Sequence, residues 1–353
     1  MSKICLITDQ HFGARGDSLV YLNFFEKFYN DIFFPTLIER DIKTVIDLGD
    51  TFDRRKYINF LTLRTSKKMY FDRLVELGVD LHVLVGNHTT FYKNTNEINT
   101  LDVLFKEYSN IRVYSDPQVA RIENLDILLL PWICADNFKR SMELINDVPA
   151  SVALGHLEVS GFAMFAGQVS EEGLDPKIFD SYRLVCSGHY HHRSTRGNIT
   201  YLGNPYEFTW SDYADTRGFH ILDTETLELE FIENPYTIFE KIYYDDEKND
   251  YKNFSFKQYK DKNVKLVVVN KKDFYTYDKF VDGLYASQPL DIKIIEDFSE
   301  FIESQIDDES VNIEDTMSLL STYVEAIETD MNKDKLKSYL KTLYIEAQNF
   351  KEK

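Results

Sequence analysis

Cysteine is scarce in this 353-residue chain, and the three present, Cys5, Cys134 and Cys186, are odd in number and far apart. That excludes a disulfide scaffold and a thiolate zinc site. It fits a reducing compartment, with two of the three inside strand-like runs where a thiol acts as a small hydrophobe. No apolar run approaches the roughly 18 residues of a membrane span, and no charged-then-apolar leader opens the sequence. The expected location is cytoplasmic. Internal repeats, Gly/Ser linkers and a glycine-rich phosphate loop are missing too, so ATP hydrolysis would have to reside on another protein. Basic charge is in deficit: 40 Lys and Arg face 59 Asp and Glu, a net of −19. Taken alone, that argues against a nucleic-acid binder.

The distribution of charge weakens the objection. Between Thr51 and Arg73 lie seven bases (Arg54, Arg55, Lys56, Arg64, Lys67, Lys68, Arg73) and two acids (Asp53, Asp72), whereas residues 296 to 315 carry nine acids and no base. A charge run is commonly just a solvated helix face. This basic one begins beside a cluster of chemistry-bearing residues, which makes Arg54, Arg55 and Lys56 candidates for phosphate contacts that position a nucleic acid without reading its sequence.

A chain of this length exceeds the roughly 250–300 residues at which single cores stop growing, so a large core plus a smaller domain is expected. Residues 1–235 alternate strand-like and helix-like segments, the pattern of an α/β fold with a layered mixed β-sheet core flanked by helices. Helical spacing of Leu19, Leu22, Phe25, Phe28, Ile32 and Phe33 predicts a long helix over 18–40, bent or ended by Pro35. A second spans about 59–77 and stops at Gly78. Beyond Asp126 the apolar runs come close together, and those at 218–223 and 227–232 predict an antiparallel pair. Residues 236–297 read as a small α+β domain, with strands at 238–243, 264–270 and 291–296 and a helix over 275–286. An acidic linker, 298–317, leads to 318–353, whose stripes (Leu320, Tyr323, Val324, Ile327; Leu336, Tyr339, Leu340, Leu343, Tyr344) predict a helical hairpin. Such a hairpin must bury its apolar face on its own chain or on a partner. Separation by the acidic linker favours a partner.

The chemistry gathers in five short clusters: Asp9-Gln10-His11, Gly49-Asp50-Thr51-Phe52-Asp53, Gly86-Asn87-His88, Gly155-His156 and Gly188-His189-Tyr190-His191. Each follows an apolar, strand-like run, and ligands at the carboxyl ends of strands can converge on one crevice. Asp9 and His11, two residues apart on an extended chain, point to the same side. Asp50, after a glycine, is placed to bridge two cations, while Asp53 suits a supporting role, orienting a ligand. Six of the eight histidines lie in or beside the clusters. His82 and His220 sit within strand patterns and read as satisfied histidines, Asp47 reads as structural, and His192 is an alternative to His191. Carboxylate, imidazole and amide oxygen without thiolate suit manganese, iron or zinc better than calcium or magnesium. Two such ions lower the pKa of a shared water and clamp a phosphodiester, so phosphoester hydrolysis is the reaction class.

The order Asp/His, Asp, Asn/His, His, His/His resembles that of the calcineurin-like metallophosphoesterases. Gly203-Asn204-Pro205 is similar to a segment of their SbcD-type DNA-repair nuclease branch, and the layout of domains resembles the recombination endonuclease subunits of T-even-type phages within it. The resemblance implies Asp9, His11 and His191 on one metal, Asn87, His156 and His189 on the other, and Asp50 bridging. His88 would touch phosphate and protonate the leaving oxygen. The sequence departs at Thr89, where many members have an acid. The family further implies two divalent ions, with manganese as the expected metal, and 3′-to-5′ exonuclease and single-strand endonuclease activity in DNA replication, recombination and repair. It implies a small domain capping DNA, a homodimer, and an SbcC-type ABC ATPase bound through the C-terminal helices to form a heterotetramer. The rival readings are a phosphatase or cyclic-nucleotide phosphodiesterase of the same fold, which would need neither extra domain nor hairpin, and a binding module with a vestigial site, which would not keep a full ligand set.

Overall fold

The computed structural model describes residues 2–148, 150–165, 168–296 and Lys333. The acidic linker and, apart from Lys333, the C-terminal hairpin expected from the sequence lie outside those residues. The chain divides into two compact units, Met1–Glu240 and a second from Lys241 onward.

Two six-stranded mixed sheets form the first unit. In one, Lys3–Ile7, Thr44–Asp47, Asp80–Leu84 and Ile111–Tyr114 run parallel, and Arg217–Asp223 with Leu229–Asn234 adds an antiparallel edge. In the other, Leu125–Leu130, Val152–His156, Leu184–Gly188 and Ile199–Tyr201 are parallel, flanked by the antiparallel Gln118–Ile122 and Ser194–Arg196. Side chains alternate along each strand, which explains the near-continuous apolar runs. Ile4 and Leu6 enter a core shared by the two sheets, with Ile46, Leu48, Leu129, Leu154 and Cys186, while Cys5 and Ile7 face the helices. A strand buried on both faces has no position for a solvent-facing residue. On its far side the second sheet packs against the helix Phe138–Asp147. The result is a helix–sheet–sheet–helix stack, and it meets the expectation of an α/β fold with a layered mixed β-sheet core flanked by helices.

Both long helices differ from their expected form in the same way. The first runs Leu19–Phe28, continues as a π-helical turn over Tyr29–Phe33 and resumes over Phe34–Glu39. Pro35 therefore does not end it: it lies directly after the π turn, in the first turn of the resumed α-helix. The second is capped by Asn59, whose side chain accepts the Leu61 N–H at 2.8 Å. It runs Phe60–Ser66, turns π-helical over Lys67–Phe71 and closes with Asp72–Glu76 before Gly78. Tyr29, Phe33 and Tyr70 pack their rings together where the two π turns meet, 5.2–5.8 Å between centroids.

The second unit holds a three-stranded sheet in the order Phe239–Asp245, Asn263–Asn270, Asp291–Ile295, with the last two parallel. The helix Phe274–Ala286, capped by Asp273, connects them and buries Tyr277, Phe280 and Leu284.

Candidate metal centre

The loops that leave the first two strands are zipped together by their backbones. Asp9 N–H donates to Gly49 O (2.9 Å), His11 N–H to Asp50 O (3.0 Å) and Phe12 N–H to Thr51 O (2.9 Å). Asp9, His11 and Asp50 adopt φ of 51°, 45° and 52°, and His189 has φ 84°. Left-handed backbone costs an ordinary L-residue roughly 1–2 kcal/mol and persists only where the surroundings over-determine it. Two glycines permit the close approach that follows. A Cβ on Gly86 would stand 2.2 Å from Asp50 Oδ1, and one on Gly188 would stand 2.0 Å from Thr8 Oγ1 and 3.0 Å from Asp9 Oδ2.

These loops bring the five clusters into one buried site. Asp9, His11 and His191 offer ligand atoms within 4.8 Å of one another, and so do Asp50, His156 and His189. Between the two groups lies the Asp50 carboxylate: its Oδ2 is 3.9 Å from His11 Nε2 and 3.2 Å from His156 Nε2. Asn87 Oδ1 completes the second group, 2.9 Å from His156 Nε2 and 3.1 Å from His189 Nδ1. On the first side His11 Nε2 and His191 Nε2 stand 3.9 and 4.0 Å from Asp9 Oδ1. His11 Nε2 is buried with no hydrogen bond, an orphaned donor or acceptor that a cation would satisfy. The donor set and the two-group geometry with a shared carboxylate fit a pair of divalent ions.

Surrounding contacts fix which ring atom faces inward. His156 Nδ1 bonds Leu48 O at 2.9 Å, which turns Nε2 toward Asp50. Asp53 serves two rings: its carboxylate lies 3.4 Å from His11 Nδ1, and its carbonyl accepts from His88 Nδ1 at 2.6 Å. That arrangement turns the Nε2 edge of His88 away from Asp53. The His88 backbone N–H donates to Asp50 Oδ1 at 2.8 Å, and Thr89 folds back onto Gly86, accepting its N–H and donating to its carbonyl, each at 3.0 Å. Thr89 therefore stabilises the turn that carries Asn87 and His88.

Charge in the site is unevenly held. Burial disfavours the charged form everywhere, but the neighbouring histidines, His156 first, hold Asp50 well below the usual carboxylate range. Burial likewise opposes protonation of His156, yet Asp50 and Asp9 push its pKa up to about 9. Burial and the adjacent His156 charge lower His189 to about 3, and burial with the nearby His11 lowers His191 well below its ordinary value. Those two rings are neutral at physiological pH, with lone pairs available to a metal.

The other sequence candidates are placed as follows. His82 meets Tyr114 Oη at 2.7 Å within the strand Asp80–Leu84, several residues ahead of Asn87 and His88, and His220 is buried against Phe231. His192 Nδ1 is engaged by Asp215 at 2.7 Å, so His191 faces Asp9. Arg54 is tied to Asp17 Oδ2 at 2.9 Å, Arg55 is half-buried and Lys56 is exposed. Sequence reasoning passed over three residues at the site. Trp132 packs its ring 5.1 Å from His189 and 6.2 Å from His156. Its place directly after the strand Leu125–Leu130 is the signal that could have found it. Buried Arg217 bonds the His191 carbonyl and Asn204 Oδ1, fixing the loop that holds His191. Gln10 lies buried between two ligand candidates.

Fold and site together define a metallophosphoesterase. The family model for calcineurin-like phosphoesterases matches residues 2–193, and the chain belongs to that family; it is a metal-dependent phosphodiesterase. It is also 33% identical over 310 residues to exonuclease subunit 1 of Enterobacteria phage T4, covering 87% of this chain and 88% of that one. Among solved structures it is similar to an archaeal phosphodiesterase (TM-score 0.33, 14% identity, 66% of this chain and 99% of that one). A Pseudomonas putida nuclease is a further likeness (TM-score 0.30, 17% identity, 57% and 67%).

Proposed function

We propose that this chain is the nuclease subunit of a DNA end-processing complex, hydrolysing DNA phosphodiesters as a 3′-to-5′ exonuclease and single-strand endonuclease in recombination, replication and repair. The observation that carries this reading is the two-group ligand cluster sharing Asp50, together with near-full-length similarity to a phage exonuclease subunit. Asp9, His11 and His191 would hold one ion, Asn87, His156 and His189 the second, and Asp50 both. Two divalent ions, manganese in this proposal, supply the positive charge that activates water and stabilises the phosphoryl oxygens. His88, oriented through Nδ1 by the Asp53 carbonyl, presents Nε2 to donate a proton to the leaving oxygen. Asp53 orients His11 and His88. Lys56, exposed beside this loop, and Arg55 would position the DNA backbone, whereas Arg54 is partly committed to Asp17.

The unit from residue 236 to 297 would cap DNA, and the hairpin 318–353 beyond the acidic linker would dock an SbcC-type ABC ATPase, with two copies of each subunit in the assembly. The test is manganese-dependent degradation of end-labelled linear DNA beside a chromogenic phosphodiester. DNA is expected to be shortened from its 3′ ends; hydrolysis of the small diester alone would overturn the DNA assignment. Deleting 316–353 is expected to abolish co-purification with the ATPase, and retained co-purification would overturn the docking role.

A further inference from the structure

Beneath the loops that carry Asp9, His11 and Asp50 lies a closed set of buried polar contacts that hydrolysis does not itself use. Gln10, between Asp9 and His11, is fully buried. Its Nε2 donates to Asp47 Oδ2 at 2.7 Å, its Oε1 accepts from Tyr29 Oη, and its backbone carbonyl accepts from Tyr206 Oη at 2.6 Å. The same Asp47 carboxylate accepts Thr51 Oγ1 at 2.7 Å and the Gly49 N–H at 3.1 Å. Gly49 and Thr51 are the two residues flanking Asp50. One carboxylate thus gathers a hydrogen bond from each side of the shared ligand and another from the residue between the two ligands of the first group.

The helices are deformed at this place. Tyr29, the donor to Gln10, opens the π turn Tyr29–Phe33, and Tyr70, on the π turn Lys67–Phe71, lies 5.2 Å from its ring. A π turn inserts an extra residue into the ladder and redirects side chains, and it recurs at functional sites. Burying a glutamine and a carboxylate is unfavourable unless each is fully hydrogen-bonded, and apolar residues would fill the same space more cheaply. What the network holds is specific: Asp9, His11 and Asp50 are all in left-handed backbone.

We propose that Gln10 and Asp47 are positioning residues that lock the Asp9–His11 loop to the Asp50 loop and so set the spacing of the two metal ions. Tyr29 and Tyr206 brace the lock from the helix side and from the loop after Pro205. The inference rests on the metal assignments of the proposed function and deepens them.

Manganese(II) binding to the full-length wild type, Gln10→Leu and Tyr29→Phe by titration calorimetry, with electron paramagnetic resonance of the loaded proteins, tests it. The wild type is expected to take up two ions with an exchange-coupled spectrum. Gln10→Leu is expected to bind about 10–100-fold more weakly, the loss typical of removing a residue that orients ligands, and to show the spectrum of isolated ions. Tyr29→Phe shifts both readouts in the same direction by less. A purely structural role would lower the melting temperature without moving either. Folded Gln10→Leu that keeps wild-type affinity and coupling overturns the inference alone; if that variant does not fold, unchanged affinity and coupling in Tyr29→Phe does so. A wild type that binds no manganese overturns both this inference and the metal assignments beneath it.

Discussion

Two glycine-to-alanine substitutions separate steric demand from backbone strain. At Gly86 the added methyl would meet Asp50 Oδ1 at 2.2 Å and the Asp50 nitrogen at 2.5 Å, where ordinary contact begins at 3.4 Å. The Asp50 carboxylate and the backbone that carries it must therefore withdraw by about 1 Å, and misplacement on that scale costs on the order of 100-fold in rate. At Gly78, φ is +61° and no atom stands within 4 Å of the added carbon, so strain is the only cost, roughly 1 kcal/mol. We expect Gly86→Ala to hydrolyse a chromogenic phosphodiester about 100-fold more slowly and to bind manganese more weakly, with a modest change in melting temperature. Gly78→Ala should melt earlier by a few degrees at wild-type turnover and metal affinity. Parallel calorimetry, turnover and thermal melts decide the matter. Turnover by Gly86→Ala close to the wild type would refute the argument that this glycine exists to admit the Asp50 carboxylate.

Asp50→Asn should release both ions, whereas His88→Ala should keep them and lose about 100-fold or more in turnover; equal metal loss in the two would remove His88 from the proton-donor role. Manganese should quench emission from Trp132, one of two tryptophans in the chain, because its ring lies 5.1 Å from His189; a Trp132→Phe variant with the same metal-dependent change would contradict this. Acid should destabilise the metal-free protein through His82, which burial and the Arg112 charge lower to about 4. The unfolded chain protonates this ring below about 6.5 while the folded chain resists until 4, so about 3 kcal/mol is lost as pH falls through that window. Urea unfolding of His82→Gln between pH 7 and 4 should show a shallower decline, though His220, lowered to about 3 by burial and Arg193, leaves part of the slope. An unchanged decline would place the acid sensitivity elsewhere.

The convergence of the polar clusters is legible in the sequence because each lies directly after an apolar run, and parallel strands deliver their ends to one edge. The stop at Gly78 is legible for the same reason: the signal is local. The π turns are not, since nothing in Tyr29–Phe33 or Lys67–Phe71 differs in kind from ordinary helix, and the rings that meet there, Tyr29 and Tyr70, come from separate helices. Arg217 and the His191 carbonyl are joined across 26 residues, and Tyr206 and Gln10 across 196. No local pattern announces either contact. Pro35 does not end the helix that the apolar period predicts: it lies directly after the π turn, and the helix continues through it to Glu39.

Each proposed ligand group draws on both sheets: Asp9 and His11 from one and His191 from the other, Asp50 and Asn87 from one and His156 and His189 from the other. On a ribosome, the four parallel strands of the first sheet emerge long before Leu184–Gly188; the second proposed group is complete only once His189, and the first only once His191, has left the exit tunnel. A chain released early, or one whose second sheet has not docked, lacks a full set of ligands for either ion. A product truncated before His189 would thus be unable to assemble either proposed group, and the two-ion hydrolysis proposed for this chain would be withheld from it.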